Sequence, residues 1–213
     1  MTTLVIATRN QHKTREIRAV LGDGLRYLTL NDFPGAPTVL EDADTFAGNA
    51  AKKADSLARW LAEQPIARES GALCVLADDS GLEVDALDGA PGVVSARFAA
   101  LDNAPSTNAT DSDNTAKLLR LLRGVPAPNR TARFRCVIAL ATVGQTRPIR
   151  LFEGACEGLI LDAPRGANGF GYDPVFQPLG YTESFAELGE PVKNRISHRA
   201  RALAQAARGL DVP

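Results

Sequence analysis

The chain has 213 residues, 45% hydrophobic and 23% charged, with 24 basic side chains against 25 acidic ones. This is the composition of a soluble globular protein, long enough to close a core without disulfides or a structural metal. A net charge of -1 argues against wrapping nucleic acid by bulk electrostatics. The longest apolar run, near Cys136 to Val143, falls far short of the roughly 20 residues a bilayer span needs, and no charged-then-apolar leader precedes the first element, so the expected setting is cytoplasmic, away from membranes.

Residues Thr3 to Ala7 read as a short strand, and after a polar loop Lys13 to Leu21 carries Ile17, Val20 and Leu21 on one helical face. A second helix is predicted from Thr45 to Glu63, capped by Asp44, with Phe46, Ala50, Leu57 and Leu61 as its buried stripe. Ala72 to Ala77 reads as a buried strand ending at Asp78-Asp79-Ser80-Gly81. Gly89 to Gly92 is turn chemistry, and Asp102 to Asp113 is a polar loop before a short helix from Thr115 to Leu122. Strands are predicted at Arg133 to Thr142, Ile149 to Glu153 and Glu157 to Leu161. A glycine-rich loop, Gly166 to Gly171, follows, and a last helix runs from Ser197 to Arg208. Helices among strands indicate an α/β fold, and the helix-free stretch from Arg133 to Leu161 indicates a mixed sheet in a single domain spanning residues 1–213. Cys74, Cys136 and Cys156 lack metal or redox spacing and read as reduced packing residues.

Several charges are not explained by local physics. Lys13 lies in the first turn of the first helix, and His198 and Arg199 in the first turn of the last, where positive charge opposes the helix dipole by roughly 0.3–1 kcal/mol each. A docked anion would account for that placement. Lys53 falls between Ala50 and Leu57 in the apolar stripe, where it must snorkel or meet an anion. Asp78 and Asp79, with Glu41 ahead of the second helix, supply hard oxygen ligands without histidine, a set that suits Mg²⁺ shared with substrate phosphates. Phe170 between two glycines, followed by Tyr172 and Asp173, suits a flat heterocycle. Together these describe a nucleotide phosphate site, while the absence of Gly-Lys-Ser/Thr and Gly-x-Gly-x-x-Gly signatures excludes the common ATPase and dinucleotide motifs.

Thr8-Arg9-Asn10-Gln11-His12-Lys13, Thr45-Phe46 with Asn49-Ala50 and Lys53, Ala77 to Leu82, Gly89-Ala90-Pro91-Gly92 with Ser95-Ala96-Arg97, Gly169 to Pro174, and Lys193 through Ser197-His198-Arg199 stand in this order over nearly the whole chain. They resemble the inosine triphosphate pyrophosphatase family. The resemblance implies hydrolysis of ITP, dITP and XTP to the monophosphate and pyrophosphate. It also implies an elongated α/β fold with a central mixed sheet and two lobes around a nucleotide cleft, and a homodimer. Carried over residue by residue, it has Thr8, Arg9, Asn10, Gln11, His12 and Lys13 hold the triphosphate, with Lys53 and Lys193 adding charge. Glu41 and Asp79 bind Mg²⁺, Asp79 activates water, and Asp78 supports it. Ser80 and Gly171 touch substrate, Phe170 stacks on the base, and Tyr172, Asp173, His198 and Arg199 line the base pocket.

The chain departs from the family pattern at Gly48, where Glu is common, and at Phe98, where Tyr is usual. Two other readings compete. One is the related septum-formation-inhibitor-like pyrophosphatases, which act on pyrimidine or modified nucleotides but carry a Ser- and Arg-rich first loop. The other is a non-catalytic nucleotide or RNA-binding module, which the unneutralised Asp78, Asp79 and Glu41 carboxylates disfavour.

Overall fold

The computed structural model describes residues 1–69, 71–102, 108–145 and 148–210. Six strands form one sheet in the order β2-β1-β3-β4-β5-β6: β1 Thr3–Ile6, β2 Arg26–Thr29, β3 Leu73–Val84, β4 Thr131–Thr142, β5 Arg150–Ile160 and β6 Phe176–Pro178. β1 runs parallel to both β2 and β3, whereas β6 is antiparallel to β5, so the sheet is mixed as expected. The helices are α1 Gln11–Leu21, α2 Phe46–Ala62, α3 Ile66–Glu69, α4 Asp111–Leu121, α5 Phe185–Ile196 and α6 His198–Ala207.

The chain folds as two compact units. One comprises Met1–Asp79, Cys136–Gly154 and Arg199–Pro213, and the other Ser80–Arg135 and Ala155–His198. In the first, every residue of β1 is buried, the near-continuous apolar pattern of a parallel strand covered on both faces. Ile6, Leu76 and Ile138 join Ile17 and Leu21 of α1 and Leu203 of α6 in its core. The second unit is built around aromatic rings: Phe134 lies 4.6 Å from Phe176, and Phe176 stacks on Phe185 at 5.3 Å between centroids. Leu82, Leu118 and Ile160 complete that core. All three cysteines are buried and unlinked.

Several boundaries differ from the sequence reading. Thr45, not Asp44, caps α2, its hydroxyl accepting from Gly48 N at 3.0 Å. β3 does not stop at Asp78 but runs on to Val84, a strand of 12 residues in all. The two short strands expected before and after Gly154 are one strand, β5. α4 begins at Asp111 because Thr110 caps it and Asp111 and Asp113 favour the positive end of the helix. Residues 103–107 of the expected polar loop lie outside the described residues. α5 was not anticipated, since Gly189 and Pro191 mask it. Its start nonetheless carries the Ser-x-x-Glu signature, Ser184 and Glu187 capping each other's backbone N–H groups at 3.1 and 2.7 Å.

Candidate active site

In the first unit, the central feature is the Asp78-Asp79 pair inside β3. Consecutive strand residues point to opposite faces, so the two carboxylates meet different partners. Asp78 faces a buried ion cluster. It accepts from the Lys13 ammonium, from Arg199 Nε at 3.1 Å and from the Cys136 thiol at 3.0 Å, and Arg199 also pairs with Glu16. Arg199 is 1% exposed and the Asp78 side chain 2%. Burial alone pushes the Asp78 carboxyl up, but Arg199 and then Lys13 outweigh it and hold the group well below the usual carboxylate range. The same carboxylate, after burial, pushes the Cys136 thiol up, so the thiol stays a donor. Lys13 and Arg199, first-turn cations of α1 and α6, therefore find counter-charge within the protein.

Asp79 faces α2. Its Oδ1 accepts from Lys53 Nζ at 2.9 Å and its Oδ2 from Asn49 Nδ2 at 3.3 Å, while Lys53 Nζ also reaches Glu41 Oε2 at 3.0 Å. Lys53 thus occupies the apolar stripe of α2 and meets two anions there, as its position in the helix requires. Burial pushes Asp79 up to about 6 against the pull of Lys53, and the Glu41 carboxylate adds to the push. Glu41 itself is held low because Lys53 overrides its own burial. Burial disfavours the Lys53 ammonium, yet Asp79 and Glu41 keep it charged.

Two carboxylates converging on one cation, with an ammonium standing in at the point of convergence, fit a hard divalent ion that takes its remaining ligands from water and substrate phosphates. Among the described residues, no three His, Cys, Asp or Glu side chains gather into a closed cage.

The loop ahead of α1 is ordered by its own side chains. Thr8 Oγ1 accepts from Asn10 N at 3.1 Å, and Asn10 Oδ1 caps α1 by accepting from His12 N at 2.9 Å and Lys13 N at 3.2 Å. Arg9, Asn10, Gln11 and His12 are exposed.

In the second unit, the segment Gly169 to Asp173 is held from within. Asp173, 1% exposed, accepts from Phe170 N at 2.9 Å and from Lys193 Nζ at 2.5 Å. The Lys193 ammonium in turn lies 4.5 Å from the centre of the Phe170 ring. Gly171 N donates to Asp111 at 2.6 Å and the Tyr172 hydroxyl donates to the Ser95 carbonyl at 2.9 Å. His198 is buried and stacks on Phe134 at 4.7 Å. Ser80, next to Asp79 in sequence, is half-buried. The structure thus gathers Phe170, Gly171, Tyr172, Asp173 and Lys193 in one unit, and Lys13, Glu41, Lys53, Asp78, Asp79 and Arg199 in the other.

Gly169 has φ +78°, and a Cβ there would sit 2.1 Å from Asp173 Oδ2. Gly169→Ala is therefore expected to displace the Asp173 carboxylate and loosen the Phe170 ring. The expected result is a rise in KM for nucleotide on the order of tenfold, about 1.4 kcal/mol of binding, with far-UV circular dichroism unchanged; an unaltered KM would contradict it.

Glu16, Asn49, Cys136 and Asp111 are site neighbours that residue types alone did not single out. Glu16 could have been found, since it precedes Ile17 on the buried face of α1, where a lone carboxylate demands a partner. Cys136 could not, because a thiol in an apolar strand reads as a small hydrophobe.

The chain matches the Ham1 family over residues 4–208. It is 50% identical to a dITP/XTP pyrophosphatase of Geobacter sulfurreducens over 96% of this chain and 94% of that protein. Among solved structures, a HAM1 protein from Coxiella burnetii superposes with a TM-score of 0.82 at 36% identity, covering 99% of this chain and 98% of that one. The Ham1 protein of Staphylococcus aureus gives 0.80 at 33% identity, covering 98% of each. The chain belongs to the Ham1 family.

Proposed function

We propose that this protein hydrolyses non-standard purine nucleoside triphosphates, dITP, XTP and ITP, to the monophosphate and pyrophosphate. The substrates are supported by the similarity to dITP/XTP pyrophosphatases. The chemistry is supported by one observation above the others: Glu41 and Asp79 share the Lys53 ammonium, with Asp79 the more buried carboxylate. In this reading Glu41 and Asp79 hold Mg²⁺, which when bound neutralises charge on the departing pyrophosphate. In the same reading the Asp79 carboxylate, which lies against Lys53 and Asn49, takes a proton from the water attacking the α-phosphorus. Lys13 and Lys53 bind phosphate oxygens, and the Thr8 to His12 loop offers exposed polar groups to the same chain of phosphates. Phe170 stacks on the base, its backbone fixed by Asp173. Asp78 keeps Lys13 and Arg199 in place and takes no proton.

A homodimer, which rests on the family resemblance, and a cytoplasmic setting belong to the same reading. The test is chromatography of products from dITP, XTP, ITP, ATP and dTTP with and without Mg²⁺. Monophosphate and pyrophosphate are expected from the first three, with Mg²⁺, in large excess over the last two. Diphosphate and phosphate as products, or preference for dTTP, would overturn the proposal.

A further inference from the structure

The side chain of Asn49 is 1% exposed, although it belongs to the first turn of α2, where an amide would ordinarily face water. All of its polar capacity is directed at two places. Its Oδ1 accepts from Ala43 N at 3.0 Å, and its Nδ2 approaches Ala43 O at 3.4 Å, so the amide pairs with the backbone of residue 43 much as a neighbouring strand would. The same Nδ2 reaches Asp79 Oδ2 at 3.3 Å. Asn49 and Lys53 stand one helical turn apart on one face of α2, and each takes one oxygen of Asp79, which fixes the rotation of that carboxylate. Ala43 in turn lies two residues after Glu41, whose carboxylate meets Lys53.

The neighbouring Gly48 permits this approach. A Cβ at position 48 would lie 2.8 Å from the Cβ of Ala43, a contact that no side-chain rotation relieves. The departure from the family pattern at Gly48 thus has a physical consequence here: residue 43 can come against the helix closely enough for Asn49 to clasp it.

From these contacts we infer that Asn49 is a positioning residue for the reaction: one buried amide fixes both the segment that carries Glu41 and the orientation of Asp79. The inference rests on the proposed function for what the two carboxylates do, but the clasp itself can be tested without substrate. Amide hydrogen exchange at Ala43 in the metal-free protein is expected to be slow in the wild type and in Asn49→Asp, which keeps an acceptor for Ala43 N. It is expected to be fast in Asn49→Ala and in Gly48→Ala. Turnover should separate the variants differently. Asn49→Ala and Asn49→Asp both lose the donor to Asp79 and should lower kcat for dITP on the order of 10²-fold, the scale of a misplaced reacting group, with KM within about threefold.

Gly48→Ala guards against loss of folding, because alanine favours the helix; its kcat should fall about tenfold with the melting temperature retained. Unchanged exchange at Ala43 in Asn49→Ala and Gly48→Ala would overturn the clasp whatever the substrate proves to be. Fast exchange with wild-type kcat would overturn the positioning role. A wild type inert toward dITP and XTP but with a protected Ala43 would instead overturn the proposed function and leave the clasp standing.

Discussion

Asp79→Asn is expected to abolish pyrophosphate release and, in metal-free buffer, to leave the fold at least as stable as the wild type. The loss of turnover follows from removing the carboxylate that touches both Lys53 and Asn49. The stability effect follows from the sign of its displacement. Its carboxyl is pushed from 3.8 to about 6 by burial and by Glu41, so the folded chain binds that proton more tightly than the unfolded one. Stability from this group is therefore greatest below the unfolded value and declines as pH rises through about 6. Above that, the ionised group costs at most about 3 kcal/mol. Asparagine removes the charge and leaves Lys53 paired with Glu41. Melting in EDTA at pH 7.5 should show an unchanged or higher midpoint, by up to roughly 10 °C for a chain of this size. Normal turnover in Asp79→Asn would defeat the catalytic assignment, and a collapse in melting temperature would defeat the electrostatic one.

Asp78→Ala should do the reverse to the fold. Asp78 meets Lys13, Arg199 and Cys136 where its own side chain is 2% exposed, so its removal strips a fully buried guanidinium of a carboxylate partner. Breaking such a pair costs about 3–5 kcal/mol, or a fall in midpoint of roughly 6–20 °C. Its folded value is depressed, so the contribution is present above the unfolded value of 3.8 and is lost as pH falls below it. Thermal melts at pH 7.5 and at pH 3 should therefore differ more in the wild type than in Asp78→Ala. Equal destabilisation of the variant at both pH values would rule out ionic pairing as the cause.

Adjacent residues thus have opposite duties, and this could be read only in part from the sequence. Residue type and spacing identified Lys53 correctly as a charge inside an apolar stripe, because helical periodicity assigns each position a face. The same logic located the strand bearing Asp78 and Asp79 but ended it too soon: Asp-Asp-Ser-Gly is good turn chemistry, and pairing within the sheet overrides that local preference. That the two carboxylates point in different directions was legible even so, because adjacent side chains diverge at the end of a strand. The partners of Arg199 were out of reach for another reason. Glu16 lies 183 positions away from it, and no local rule links a helix near one terminus to a helix near the other. The short strands β2 and β6 are hard to read because β2 is exposed to half-buried and lacks the apolar run that marks β1, and β6 has only three residues.

The placement of Asp78 and Asp79 within a strand also constrains how this protein can change over time. A loop can gain or lose a residue and merely alter its path, but a single deletion between Leu73 and Ala77 would turn every later side chain of β3 to the other face. Asp79 would then arrive among Arg199 and Cys136, and Asp78 would turn away from them. Both the ion cluster and the reactive carboxylate would be lost in one step. Length variation among descendants of this chain should therefore collect in the connections around the strand, while the count of residues from Leu73 to Asp79 stays fixed even where their identities drift.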